Sequence, residues 1–255
     1  QYLIASHLDA TEGDELNPAP MPPGGAPTPV RTPVPTPVPS LSHTFESVSH
    51  EVCQNFAGHA RTTVTFDGVV TVIHNGDVSV SPGTSITGTY TFEDGPEQGQ
   101  AVLDSSVSSA FAATVLDNSI EAIAVNVDAD TPMAIEIGGL TFTPGTYRSG
   151  SAINFAHGTV VTLNGLDEAN PVFTFIAGST LVTAADTYFI LENGAKAENV
   201  VWALRTSAVF GANVDFEGSI LAGTAIVFGA DVKVHGCVVA GTAITFGAGD
   251  SVSPP

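Results

Sequence analysis

TSAVFGANVDFEGSILAG (206–223) runs directly into TAIVFGADVKVHGCVVAG (224–241), and a third copy opens with TAITFGAGDSV at Thr242. Threonine opens each copy, FGA falls at one offset, and glycine recurs where the chain must turn. A fixed period of this length marks a repeat architecture in which each unit buries its apolar side by stacking on the next. Strand side chains alternate between two faces. Ala208, Ile226 and Ile244 share one phase with Phe210, Phe228 and Phe246, so this phase is expected to point inward. The opposite phase (Ser207 and Val209, Ala225 and Val227, Ala243 and Thr245) carries no charge and faces solvent. Further along the same copies, Asp215, Glu217, Lys233 and His235 alternate with Val214, Phe216, Val232 and Val234. One outer face is therefore charged and another is not.

The whole chain has 255 residues, enough for one sizeable β-domain. Its net charge is −20, with Arg31, Arg61, Arg148, Lys196, Arg205 and Lys233 as the complete basic set. Nucleic-acid binding needs a basic footprint that this chain lacks. The same balance disfavours anionic membranes, and no apolar run approaches a membrane span. The acidity fits solubility in a salty or extracellular medium. Cys53 and Cys237 form no CxxC pair. Either they make one long-range disulfide or both are free and buried; the secreted character of the chain favours the disulfide. The start at Gln1, with no basic leader, fits a signal peptide already removed.

Residues 1–44 read as a separate disordered, Pro-rich arm. Ten of the seventeen prolines lie between Pro18 and Pro39, a composition that favours an extended polyproline-like linker. A domain then spans 45–255. From Cys53 to Tyr90 β-branched residues dominate, punctuated by Asp67-Gly68, Asn75-Gly76 and Pro82-Gly83. Between Pro96 and about Asn126, Val107, Phe111, Val115 and Leu116 recur at helical spacing, which predicts one long α-helix with Pro96 at its start and Asp94 as its cap. Strands resume at Ile135. The fold class is all-β with one long α-helix, the strands winding as a β-solenoid.

GDVSVSPGTSITG (76–88), IGGLTFTPGTYR (137–148), FTFIAGSTLVTAADTYFILENGAKAENVVW (173–202) and FEGSILAGTAIVFGADVKVHGCVVAGTAITF (216–246) resemble the ice-binding-like domain of polar microbes and sea-ice diatoms. The resemblance covers about residues 53–250. It implies a discontinuous right-handed β-helix, triangular in section, with the helix packed alongside and the N-terminal part stacked on C-terminal coils. That stacking favours a Cys53–Cys237 bridge. It also implies a secreted, non-enzymatic, monomeric antifreeze or recrystallisation inhibitor that needs no cofactor and whose partner is ice.

The family places ice on one flat face, often through a T-A/G-x-T/N pattern. Thr242-Ala243-Ile244-Thr245 matches fully, Thr224-Ala225-Ile226-Val227 in its first two positions, and Thr206-Ser207-Ala208-Val209 in its threonine. Thr159 with Thr162, and Thr180 with Thr183, keep the threonine spacing. These residues, from Thr159 to Thr245, form the candidate ice-binding set. Stacked strands repeat every ~4.7–4.9 Å, similar to repeats in the ice lattice, and charged or long side chains would spoil such a row. The irregularity of the pattern implies moderate activity.

Rival readings are a β-helical lyase or glycosidase, and an adhesin using the Pro-rich arm as a stalk. The first needs clustered acids with Ca²⁺ or a basic partner. Asp215, Glu217 and Asp231 show no such spacing, and Asp128 and Asp130 are expected in a turn. The seven histidines form no local metal motif, and no GxSxG or phosphate loop occurs. The adhesin differs from the antifreeze reading in its ligand, algal polysaccharide in place of ice.

Overall fold

Three short strands make one coil, and the coils stack in parallel. Val200–Leu204, Ala208–Phe210 and Asp215–Glu217 form one such coil. Ser219–Ala222, Ala225–Val227 and Lys233–His235 form the next, each strand paired with a partner 18 residues away. The sequence period is thus one turn of the solenoid. In the computed structural model the described residues are 53, 56–93, 101–103, 117 and 130–254. The first strand of every coil joins a nine-stranded sheet; the second and third join a larger sheet that bends into two limbs at the long strand Thr63–His74.

Coils before residue 200 are longer. Phe173 pairs with Val200 and Leu181 with Ala208, a step of 27 residues, and the extra length lies in corners rather than strands. One corner shows why the repeat tolerates this. Asp186, Asn213, Asp231 and Gly249 occupy equivalent left-handed positions, which asparagine, aspartate and glycine adopt at least cost. The FGA glycine answers a different need: a Cβ on Gly229 would lie 2.7 Å from the Gly211 carbonyl of the neighbouring coil.

The inward phase is as the alternation requires. Ala208, Ile226, Ile244, Phe210, Phe228 and Phe246 are all buried. Phe210, Phe228, Phe246 and Phe66 form a ladder of stacked rings with centroids 4.8, 5.1 and 5.0 Å apart, so the aromatic spacing equals the strand spacing. Trp202 stacks on Phe175 at 4.0 Å, and its buried Nε1–H donates to the Glu217 carbonyl. The nine-stranded sheet is buried on both faces along Phe173–Ala177, Val200–Leu204 and Ser219–Ala222, which explains the near-continuous apolar run VVWAL there.

The stack order is not the chain order. Phe56–Ala60 pairs with Val238–Ala240, and Thr63–Phe66 with Ala243–Phe246. The first described coils therefore sit beyond the last ones, covering an edge that would otherwise leave backbone groups unpaired. Cys53 and Cys237 form a disulfide across this seam, with Cα atoms 5.3 Å apart. Arg61 next to the seam pairs with Asp117 at 2.6 Å.

The helix expected over 96–126 needs correction at its start. Ala101–Leu103 is a strand paired with Val78–Val80: a free parallel edge satisfied those backbone groups, and this outweighed helical propensity. Of residues 104–126 only Asp117 is described, with helical backbone; the remainder lies outside the described residues, and apart from the 3-10 turn Ala197–Asn199 no longer helical segment is present among those described. The arm over 1–44 also lies outside them. No helix of the described residues is long and apolar enough to cross a membrane.

Two buried ionisable groups set opposing pH dependences. Burial, and secondarily the Arg61 guanidinium, holds the His59 imidazole down at about 4; its Nδ1 lies 2.7 Å from Ser79 Oγ. Burial pushes the Asp250 carboxyl up to about 6, against amide bonds from Val232 and Gly247, with Asp231 adding repulsion. His59 has the lower folded pKa, so its contribution is complete above about 6.5 and disappears as pH falls to about 4. Asp250 does the reverse: folding strengthens its hold on a proton, so its cost at neutral pH fades below about 6. Urea midpoints measured between pH 7 and 4.5 should therefore fall less steeply in His59→Asn than in the parent chain, and more steeply in Asp250→Asn. Replacing Cys53 by Ala opens a loop of sequence separation 184 and should lower unfolding free energy by up to roughly 5 kcal/mol in the chain-entropy estimate, read from denaturant curves.

Candidate functional site

The limb that begins at each corner threonine carries the candidate site. Its strands stack in the order Ser85–Gly88, Thr63–Phe66, Ala243–Phe246, Ala225–Val227, Ala208–Phe210, Leu181–Thr183 and Ile153–Phe155. Seven coils thus present one four-residue pattern: TSIT, TTVT, TAIT, TAIV, TSAV, STLV and SAIN. The third residue of each pattern points inward, and Val64, Ile244, Ile226, Ala208, Leu181 and Ile153 are fully buried. The second and fourth point outward, as the two-residue strand period demands.

Register places these outward residues in columns. The fourth-position column runs Thr87, Thr65, Thr245, Val227, Val209, Val182 and Asn154. The second-position column runs Ser85, Thr63, Ala243, Ala225, Ser207, Thr180 and Ala152. The corner column joins Thr62, Thr242, Thr224, Thr206 and Ser179 through amide-to-carbonyl bonds from coil to coil. No charged side chain stands in these columns; Glu136, bridged to Asn154, marks where the face ends. At one strand spacing per coil the face is about 29 Å long. Val182, Val209 and Val227 are 38, 42 and 40% exposed, an apolar row left open to water. Ser207 Oγ and Thr224 Oγ1, 2.7 Å apart, hydrogen-bond across two columns.

Most of the threonine-pattern residues meet here: Thr180, Thr206, Ser207, Val209, Thr224, Ala225, Val227, Thr242, Ala243 and Thr245 share the limb. Thr206 brings its methyl only, since its Oγ1 is hidden from solvent and has no hydrogen-bond partner. Thr183 does not belong with them. It is buried, and its Oγ1 accepts from the Gly211 N–H. In that coil the pattern opens at Ser179, so Thr183 is its fifth residue and points inward. Thr159 and Thr162 lie elsewhere: Thr162 stands beside Ile190 on the third limb, and Thr159 Oγ1 donates to the Ala156 carbonyl at the corner leading into it. Asp130, considered for Ca²⁺, is ion-paired with Arg148; Asp128 lies outside the described residues.

Thr62, Thr63, Thr65, Thr84, Ser85, Thr87, Ala152, Val182 and Asn154 were missed by sequence reasoning. The signal was present, because TTVT and TSIT keep the same spacing as TAIT, but both are about 160–180 residues from the repeats they join.

The third limb has a different character. There Asp215 and Glu217 oppose Lys233 and His235 across the ladder, and burial raises the Glu217 carboxyl above its ordinary range, with His235 acting against this and Asp215 with it. The charged and uncharged outer faces of the sequence are two limbs of one bent sheet.

Comparison with known proteins places the chain in a family. The family model described as ice-binding-like matches residues 59–251. The chain belongs to the ice-binding-like family. The ice-binding protein of Flavobacterium frigoris (strain PS1) is 29% identical over 195 residues, covering 72% of this chain and 68% of that one. That of Nostoc sp. (strain HG1) is 39% identical over 92 residues, 36% of this chain; the match spans about a third of the Nostoc protein, 33%. The crystal structure of the ice-binding protein of the Antarctic ascomycete Antarctomyces psychrotrophicus superposes with a TM-score of 0.70 at 30% identity, covering 81% of this chain and 97% of that one.

The alternation separates surface from core by energy. Ile226→Ala should cost about 2–5 kcal/mol by opening a cavity between coils. Thr65→Ala, two coil steps and one phase away, should stay within about 0.5 kcal/mol. Paired denaturant curves check both values.

Proposed function

We propose that this protein adsorbs to ice through the seven-coil uncharged limb, and so restrains crystal growth and recrystallisation. One observation carries the reading: parallel columns of small, uncharged side chains, repeated at the strand spacing over about 29 Å, with a ladder of stacked phenylalanines behind four of the seven coils. Water held over such a surface meets methyl groups and short hydroxyls at fixed intervals. It can adopt an ice-like arrangement there without competition from an ammonium or carboxylate. A rigid backing matters because any freedom in the row would be lost on adsorption, an entropic cost of binding.

The face is graded. Thr87, Thr65 and Thr245 occupy three neighbouring coils, while Val227, Val209 and Val182 continue the same column as an apolar row. The threonine end offers hydroxyl and methyl at every step and is the better template; the valine end excludes water without ordering it through hydrogen bonds. This supports moderate rather than strong activity. We further read the coil as right-handed, following the hand of parallel crossovers, and three-sided. The protein is read as a secreted monomer without enzymatic activity, with residues 1–44 as a spacer.

Growth of a single ice crystal in dilute protein tests the reading directly. Faceting is expected; a round disc would sink it. Thr65→Tyr, Thr245→Tyr and Ala225→Tyr should each lower thermal hysteresis severalfold while the circular dichroism spectrum is retained. Thr162→Tyr, on the third limb, should leave hysteresis unchanged. Loss of activity in Thr162→Tyr alone would move the site to that limb.

A further inference from the structure

The third limb brings together a ligand set that no local motif announces. Asp215 and Glu217 project from one strand on either side of the buried Phe216, and His235 stands directly opposite Glu217 on the next coil. The potential ligand atoms of the three side chains lie within 4.8 Å of one another. His235 Nε2 is 3.1 Å from Asp215 Oδ1. That contact is not a hydrogen bond: Oδ1 is hidden from solvent and has no hydrogen-bond partner. The nitrogen and oxygen are close without being aligned to share a proton, as two donors are when both aim at a third point. Two ligands about 2.1 Å from one metal ion, at tetrahedral to octahedral angles, are about 3.0–3.4 Å apart, which brackets this separation.

We propose that Asp215, Glu217 and His235 bind one divalent transition-metal ion of the Zn²⁺ class. The donor chemistry selects the class. One imidazole with two carboxylates suits Zn²⁺ and its first-row neighbours, whereas Ca²⁺ and Mg²⁺ favour sets built of oxygen alone. Three protein ligands leave at least one position for water. The ion would join adjacent coils, since two ligands come from one and the third from the next, and would offset acidic charge in a chain of net charge −20. The set is invisible at short range in sequence, because His235 becomes a neighbour of Glu217 only through the 18-residue coil step.

The test uses the full chain, stripped with EDTA and titrated calorimetrically with ZnCl₂, and in a second arm with CaCl₂. Asp215→Asn and His235→Gln are compared with the parent, circular dichroism verifying that each is folded. One Zn²⁺ site in the parent is expected, weakened about tenfold or more by either substitution, with no comparable Ca²⁺ binding. Zn²⁺ should also raise the thermal midpoint of the parent and leave that of His235→Gln in place. Equal Zn²⁺ binding by the parent and both variants places the ion on other histidines and overturns the proposal. So does the lack of any saturable Zn²⁺ site in the parent, or Ca²⁺ binding as tight as Zn²⁺.

Discussion

Parallel backbone pairing between successive coils is the constraint on which the other features of this protein rest. Each amide must find its carbonyl one strand spacing up or down the stack, so residues 18 or 27 positions apart are held in strict register. Once register is fixed, side-chain identity repeats along the axis. Phe210, Phe228, Phe246 and Phe66 stack because their backbones do. The glycine of FGA is required because coil backbones approach too closely for a side chain. The left-handed corner takes Asp, Asn or Gly at 186, 213, 231 and 249, because these residues adopt positive φ at least cost.

Register also turns a list of small residues into a surface. A single strand such as Ala225–Val227 offers two outward side chains and no distinct recognition property. Seven such strands in register offer columns whose spacing is set by hydrogen-bond length and is therefore as regular as the backbone itself. Beneath four of these coils the stacked rings of Phe210, Phe228, Phe246 and Phe66 pack behind the columns. The three strands of each coil then diverge in character. The first is shielded on both faces and serves packing. The second is uncharged and open, and the third carries Asp215, Glu217, Lys233 and His235.

The stack is closed at one end by residues from the other end of the chain. Thr63–Phe66 beside Ala243–Phe246, together with the Cys53–Cys237 bridge, turns an exposed parallel edge into an interior seam. This arrangement also extends the uncharged limb: TTVT and TSIT continue the column that TAIT would otherwise end. A device that protects a sheet edge thus lengthens the candidate site.

The amino-acid sequence by itself determined the coil period, the inward phase of Ala208, Ile226 and Ile244, and the contrast between charged and uncharged sides. These follow from local alternation and from a repeat short enough to compare by eye. It misassigned Thr183, because threonine spacing does not reveal whether the pattern opens at Ser179 or Thr180, and a shift of one residue reverses the face. It extended a helix over Ala101–Leu103, where pairing with Val78–Val80 prevailed. Only the tertiary structure decided that Thr62–Thr65 and Thr84–Thr87 join Thr242–Thr245, and that Thr159 and Thr162 do not. Which free edges pair along the stack axis is settled by contacts between segments nearly two hundred residues apart, and no local propensity encodes that choice.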